Sequence, residues 1–308
     1  MAKRFHYGGQ AVLEGVMMRG PKQVRVSVRR PDGEIVSMTQ PLNPIYTGRA
    51  RKLPLLRGIF ALVEAMVLGV KALMYSANVA VEAELEEKPK PFVIWIPVVL
   101  GMVFGVALFV MLPMLITHYG VDRVTDSAVL SNLADGVIRV VILIAYMGGV
   151  SLIPDIRRVF AYHGAEHKAV NAYEAGAPME VSEVQKYSTA HTRCGTGFLL
   201  IVMVIAVIVF VFAGQPALWF RLLSRIIVLP VIAAFGYELI HFAADHGDNI
   251  VIRTIMRPSL ALQALTTRQP DEEQVGVAIE ALKGVIEPES SEPTDKGIGP
   301  DQASSSLR

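Results

Sequence analysis

The sequence is short of cysteine and short of charge. Its 308 residues include one cysteine, Cys194, so no intramolecular disulfide forms, and a lone thiol fits a reducing compartment. Charged residues make up 19%, against about a quarter in an ordinary soluble domain. The formal net charge is only +1, which excludes the global basic excess of a nucleic-acid binder. Behind the basic Lys3-Arg4 there is no apolar run of the kind a signal peptide carries. The expectation is that the start of the chain stays in the cytoplasm and that later segments drive insertion. No internal repeat is present.

What the chain has instead is apolar residue in blocks, 52% overall. Residues 92–116 carry no charge at all, and roughly 20 apolar residues cross a hydrocarbon layer. Trp95 near one end suits an interfacial anchor. Residues 128–153, which contain Asp135 and Arg139, read as a second span, 197–213 as a third, and 226–244 as a fourth with Glu238 and His241 inside it. Residues 55–81 are helical by pattern, with Arg57, Glu64, Lys71 and Asn78 seven apart on one narrow stripe. That stripe fits a span facing a bundle interior, or a helix lying at the membrane surface. Upstream, Val24, Val26 and Val28 alternate with Arg25, Ser27 and Arg29, and Pro31-Asp32-Gly33 supplies a turn, which reads as a β-hairpin.

The expected fold is therefore a polytopic α-helical membrane protein. It has about four transmembrane helices plus one amphipathic or re-entrant helix, and a small N-terminal β-hairpin unit. Residues 1–54 hold the Gly-rich motif and hairpin, and 55–258 the membrane domain with a polar loop at 154–195. Residues 259–286 hold an amphipathic helix with Val275, Ala278, Ile279 and Leu282 on one face, and 287–308 a disordered tail. Lys3, Arg4, Arg19, Lys22, Arg25, Arg29, Arg30, Arg49, Arg51, Lys52 and Arg57 place the first segment in the cytoplasm. If 55–81 does not cross, loop 154–195 and the C-terminus are cytoplasmic too, and the external loops hold only Arg123, Arg221 and Arg225. If it crosses, Arg157, Arg158, Lys168, Lys186 and Arg193 face outward. The first arrangement agrees better with the positive-inside rule.

The chemistry-bearing stretch is Tyr162-His-Gly-Ala-Glu-His-Lys168. His163 and His167, four apart, share a helix face and can ligate one ion, with Glu166 beside them as a general base for a polarised water. H-x-x-E-H is the inverted zincin motif. His191-Thr-Arg-Cys194 adds an imidazole and a thiol three apart, and a cysteine beside basic groups such as Arg193 at a helix start is the kind that gives up its proton. Glu238 and His241 are ionisable groups at membrane depth, where charge is costly and tends to be functional. The bland alternatives are two solvated surface histidines, a small buried thiol, and interhelical pairing of Glu238 with Arg139. Residues 7–20 are dense in glycine, with Gln10, Glu14 and Arg19 between, but lack the G-K-[ST] of a phosphate loop. On physics alone they read as turn glycines.

Three separated motifs, GGQAVLEGVMMRGP, YHGAEHKAVNAYE and HTRCGTGF, resemble the YqhQ-like bacterial membrane proteins. That family is of unknown function and is described as predicted metal-dependent enzymes. The resemblance covers about residues 5–285. It implies a bacterial cytoplasmic (inner) membrane protein and implies that Gln10, Glu14 and Arg19 belong to the site. It supplies no substrate.

The reading that follows is a membrane metal-dependent enzyme, a hydrolase, with a cytoplasm-facing site. His163, His167, His191, Cys194 and Glu238 are its candidate ligands, Glu166 its general base, and Arg193 and His241 further site candidates. Imidazole with thiolate favours zinc among divalent transition metals. The partners expected are the lipid bilayer and a protein or lipid substrate. The alternative is a non-catalytic scaffold or assembly factor with a structural metal site. A small transporter through Asp135, Arg139 and Glu238 fits poorly with a short chain lacking repeats.

Overall fold

The computed structural model describes residues 5–46, 48, 53–82, 91–214, 216–246 and 249–290. Arg49, Arg51, Lys52, the side chains of Trp95 and Asp245, residue Asp248 and the tail from 291 lie outside the described residues.

The N-terminal unit is a four-stranded antiparallel meander: β1 Gly8–Val12, β2 Gly15–Arg19, β3 Gln23–Arg29 and β4 Ile35–Pro41, in that order. The expected hairpin is β3–β4, with Val28 opposite Val36 and Gly33 left-handed in the turn. The glycine-rich motif is itself a second hairpin, β1–β2, rather than a set of turns. Alternation then splits the sheet. Val12, Met17, Val24, Val26 and Val28 pack on Leu68, Ala72 and Val79 of α1 (Leu56–Glu82). Val16 and Met18 face the opposite way, onto α5 (Pro154–Glu174) and α10 (Glu272–Ser290). The polar members of β3 are paired on that side, Arg25 with Glu280 at 2.5 Å.

The helix α10 presents Val275, Ala278, Ile279 and Leu282 to this core, and it runs four residues beyond 286. One body is thus built from the start, the middle and the end of the chain.

The apolar helices stand beside it. Among the described residues four are long and apolar enough to cross a membrane: Leu56–Ala80, Ile96–Arg123, Ala128–Val150 and Leu218–Ala243. The second is α2 (Pro91–Val106), a π-turn over Ala107–Met111 and α3 (Leu112–Tyr119). The third is α4 (Ala128–Val150), and the fourth lies within α8 (Leu218–Asp245). Between them α7 (Gly195–Val211) is apolar but only 17 residues long. So the segment read at 55–81 as doubtful is of full spanning length, and the one read at 197–213 is the short one.

Several boundaries move for local reasons. The helix expected over 128–153 stops at Val150, because Ile153 must be extended before Pro154. The helix expected over 226–244 starts two turns earlier. Arg221 and Arg225, assigned to an external loop, are therefore buried in α8, paired with Asp122 at 3.1 Å and Asp135 at 2.8 Å. Arg139, offered as a partner for Glu238, also takes Asp135, at 2.9 Å. The boundary drawn at 258 falls inside a continuous helix, α9 (Ile250–Thr266), which tolerates Pro258 in its interior.

Candidate metal centre

The helix α5 carries two faces. Ala165, Ala169 and Ala172, with Tyr162 and Val170, are small or flat enough to lie on the sheet and α10. Another stripe holds His163, His167, Asn171 and Glu174, at spacings of four, four and three. The segment after α6 (Val181–Val184) is laid along α5, and side chains of α5 take its carbonyls one after another. Lys168 Nζ donates to Gln185 O at 2.6 Å and Tyr187 O at 2.8 Å. Asn171 Nδ2 donates to Ser188 O at 2.8 Å and Ala190 O at 3.0 Å. His167 Nδ1 meets Thr189 O at 2.6 Å.

His163 is held in the same way from another direction: its Nδ1 meets Thr266 O at 2.8 Å. A carbonyl oxygen only accepts, so Nδ1 carries the proton in each neutral ring and Nε2 keeps its lone pair. Gly164 makes this possible. A Cβ there would run into the carbonyl oxygen of Arg268, so the chain leaving α9 can cross α5 only over a glycine. Arg268 N–H donates to Phe160 O at 2.9 Å and fixes that crossing.

Cys194 completes the group. It is the N-cap of α7, and its Sγ accepts from Thr196 N at 3.4 Å and lies 3.3 Å from His163 Nε2. One donor atom each from His163, His167 and Cys194 lie within 4.8 Å of one another. A tetrahedral ion bonded at about 2.1 Å to nitrogen and about 2.3 Å to sulfur needs ligand atoms roughly 3.5 Å apart. The residues present fit such an ion with small side-chain movements. His167 and Cys194 are buried and His163 is half-buried.

Glu166 is buried beside them, and its Oε1 accepts from Gly9 N at 2.8 Å. Burial pushes its carboxyl up, against the opposing pull of His163 and the Gly9 N–H. The glycine-rich motif therefore reaches this helix through a backbone N–H. The three side chains expected from that motif are occupied elsewhere. Glu14, left-handed at the β1–β2 turn, takes Arg158, with Nη2 at 2.7 Å, and the Tyr162 hydroxyl at 3.2 Å. Arg19 pairs with Glu64 of α1 at 3.1 Å. Gln10 lays its amide against Gly69 of α1.

Two expected ligands are not in the trio. His191 is buried, with its ring 5.5 Å from that of His167, but its Nε2 faces Glu174 at 3.8 Å and Arg193 at 3.4 Å. Burial holds its imidazole below the ordinary histidine value. Gln263 of α9 clamps its backbone at both ends, N–H to Oε1 at 3.1 Å and Nε2 to O at 2.7 Å. Glu174 also receives Arg193; burial pushes its carboxyl up, but His191 and Arg193 outweigh this and hold it low.

Glu238 is engaged by Arg57, with Nε at 2.7 Å, and by the Leu55 N–H at 3.0 Å, so it ties α8 to α1. A guanidinium one helix away satisfies it where the sequence suggested a metal. His241 packs near Tyr237, ring centres 6.4 Å apart, one turn along the same helix.

The supports missed in the sequence are the Thr189 and Thr266 carbonyls, Lys168, Asn171, Glu174 and Gln263. Asn171 and Glu174 continue the His163–His167 stripe and were legible in principle. Backbone carbonyls leave no trace in a sequence.

The chain is 33% identical over 296 residues to the uncharacterised protein YqhQ of Bacillus subtilis (strain 168), covering 91% of this chain and 92% of that protein. No solved structure matches it. The family described as "Protein of unknown function (DUF1385)" matches residues 53–288, and with that relative it establishes that the chain belongs to this family.

Proposed function

We propose that this chain is a membrane-embedded metal-dependent enzyme, a hydrolase, with its site on the cytoplasmic side. His163, His167 and Cys194 would hold the ion, and Glu166 is the acid–base group. One observation carries the reading: both imidazoles commit Nδ1 to backbone carbonyls, which leaves Nε2 as the donor atom of each, and the Nε2 of His163 faces the thiol. Ligand histidines in metal sites are oriented in this way. Two imidazole nitrogens and one sulfur favour zinc, and three protein ligands leave a fourth position open, as catalytic sites do. When bound, such an ion polarises a substrate oxygen and makes water acidic. The part of Glu166 is to hold or release a proton at its carboxylate while the Gly9 N–H fixes the side chain.

The same burial supports a second reading, in which the trio is a structural clasp. It ties α5, the 185–194 segment and the end of α9 together in a non-catalytic scaffold. Elemental analysis of protein purified without chelator, beside E166Q, separates the two. Enzyme function expects E166Q to keep the ion and to lose complementation of a deletion strain. Full complementation by E166Q overturns the catalytic reading and supports the clasp.

Parity of crossings supports the orientation. The sheet, α5 and α10 share one core and so stand on one side of the bilayer. Between sheet and α5 lie three candidate spans, of which an even number must cross. The odd one is α1, because an open-edged sheet packs along Leu68, Ala72 and Val79, and such a sheet cannot sit in hydrocarbon. The helix α1 then lies at the interface, with Val63, Met66, Val67 and Leu73 exposed as its lipid face. The basic residues of the N-terminal segment support a cytoplasmic location for this side.

A further inference from the structure

We propose that the site takes its substrate from the membrane itself, as an anionic phospholipid held by its headgroup; this rests on the metal-dependent reading above. The placement of the trio carries the argument. Cys194 caps α7, so the thiol stands at the level where an apolar helix begins. The carbonyl that orients His163 belongs to Thr266, the last residue of α9. That helix begins at Ile250, just after α8 ends at Asp245, and it finishes against the start of α7, where Thr266 Oγ1 meets Thr196 Oγ1 at 3.2 Å. With α7 and α8 running in opposite directions, both ends of α9 lie at the same boundary, and α9 runs along it.

The exposed side chains on α9 match that position. Ile250, Val251 and Ile255 are exposed, and so are Arg253 and Arg257, one turn apart. Apolar residues interleaved with arginine are what a helix at headgroup level displays. Arg157, seven residues beyond the end of α4, is a third exposed arginine at the same boundary, beside exposed Leu152 and Ile153. Among the described residues none of these three arginines has a carboxylate partner. Guanidinium groups are matched in shape and charge to phosphate. On the other side of the trio the 185–190 backbone is fastened across α5, and Gly9 of the sheet lies on Glu166. The segment 185–190 and the sheet are thus fastened to α5 by hydrogen bonds, while α9 and the start of α5 display apolar and cationic side chains.

The test uses the full chain in nanodiscs of phosphatidylcholine with a minority of phosphatidylglycerol. Native mass spectrometry of the released protein reads the retained lipid. The expected result is phosphatidylglycerol enriched severalfold over its share of the disc. The enrichment is lost in R253Q/R257Q, lowered but not abolished in R253K/R257K, which keeps the charge without the guanidinium fork, and unaffected by added inorganic phosphate. Both arginines are exposed, so the folded state survives these changes, and thermal unfolding verifies it. No enrichment, enrichment unchanged in R253Q/R257Q, or displacement by inorganic phosphate overturns the proposal.

A second measurement places the lipid at the trio. Headgroup ³¹P relaxation is compared in discs holding protein loaded with Co²⁺ or Zn²⁺. Faster relaxation of phosphatidylglycerol with Co²⁺, absent in C194S, is expected. Bound Co²⁺ with no change in relaxation overturns the substrate assignment alone. Failure of the wild type to take up either ion overturns the metal reading, while the lipid measurement still reports on the arginines.

Discussion

The Nε2 atom of His163 stands 3.3 Å from the Sγ atom of Cys194, across 31 residues of chain. The imidazole is not placed by its own helix alone. Thr266 turns the imidazole and the start of α7 places the thiol, so three elements converge on one contact.

The first expectation concerns the ion. Wild type purified without chelator should carry about one transition-metal equivalent, and H163A, H167A and C194S should each lose most of it. Elemental analysis reads this directly, and metal-free wild type would remove the basis of the site.

Glu238 should behave differently. E238A should leave metal content unchanged, because its carboxylate is engaged by Arg57 and Leu55. Losing a charge-assisted contact of this kind costs about 1–3 kcal/mol, read as a lower unfolding temperature in detergent. The swap R57E/E238R should recover part of it. Metal loss in E238A would return Glu238 to the ligand set.

Asp135 should be the costliest membrane position. It accepts from both Arg139 and Arg225, so D135N leaves two buried guanidiniums without a carboxylate. Breaking such a cluster costs about 3–5 kcal/mol. Wild-type yield and thermal stability in D135N would contradict the buried cluster.

Acid should loosen the anchor of the 185–194 segment. The carboxyl of Glu174 is held below its ordinary value of 4.5 by His191 and Arg193, burial notwithstanding. A depressed carboxyl stabilises the fold above its unfolded value and loses that contribution as pH falls through its folded value. Thermal unfolding should therefore drop below about pH 4.5, less steeply in E174Q. Equal slopes for the two proteins would exclude Glu174 as a source of the acid dependence.

The course of α1 is open to labelling. In a C194S background, a cysteine at exposed Lys71 should react with an impermeant maleimide only from the cytoplasmic side, and one at exposed Asp126 only from outside. Labelling of both from one side would overturn the parity assignment.

Much of this protein is written in local pattern. Uncharged runs marked apolar helices, the alternation of Val24, Val26 and Val28 marked a hairpin, and the i,i+4 pair His163–His167 marked a shared helix face. These follow from backbone periodicity and the cost of burying charge, which neighbouring residues decide. The β1–β2 hairpin was obscured because its glycines read as turns, although Gly9 and Gly15 sit in paired strands. The start of α8 was obscured because Arg221 and Arg225 looked like loop residues, until Asp122 and Asp135 neutralised them.

Only tertiary structure could decide which ionisable groups stay free. Glu238 and His191 have the right chemistry for ligands, but Arg57 reaches one and Glu174 with Arg193 the other. His163, His167 and Cys194 are left to face one another because backbone carbonyls hold the far sides of both rings. Residue type and spacing determined the repertoire of donors in this chain. Partner choice among them depends on long-range packing, and that is why the sequence named more ligands than converge.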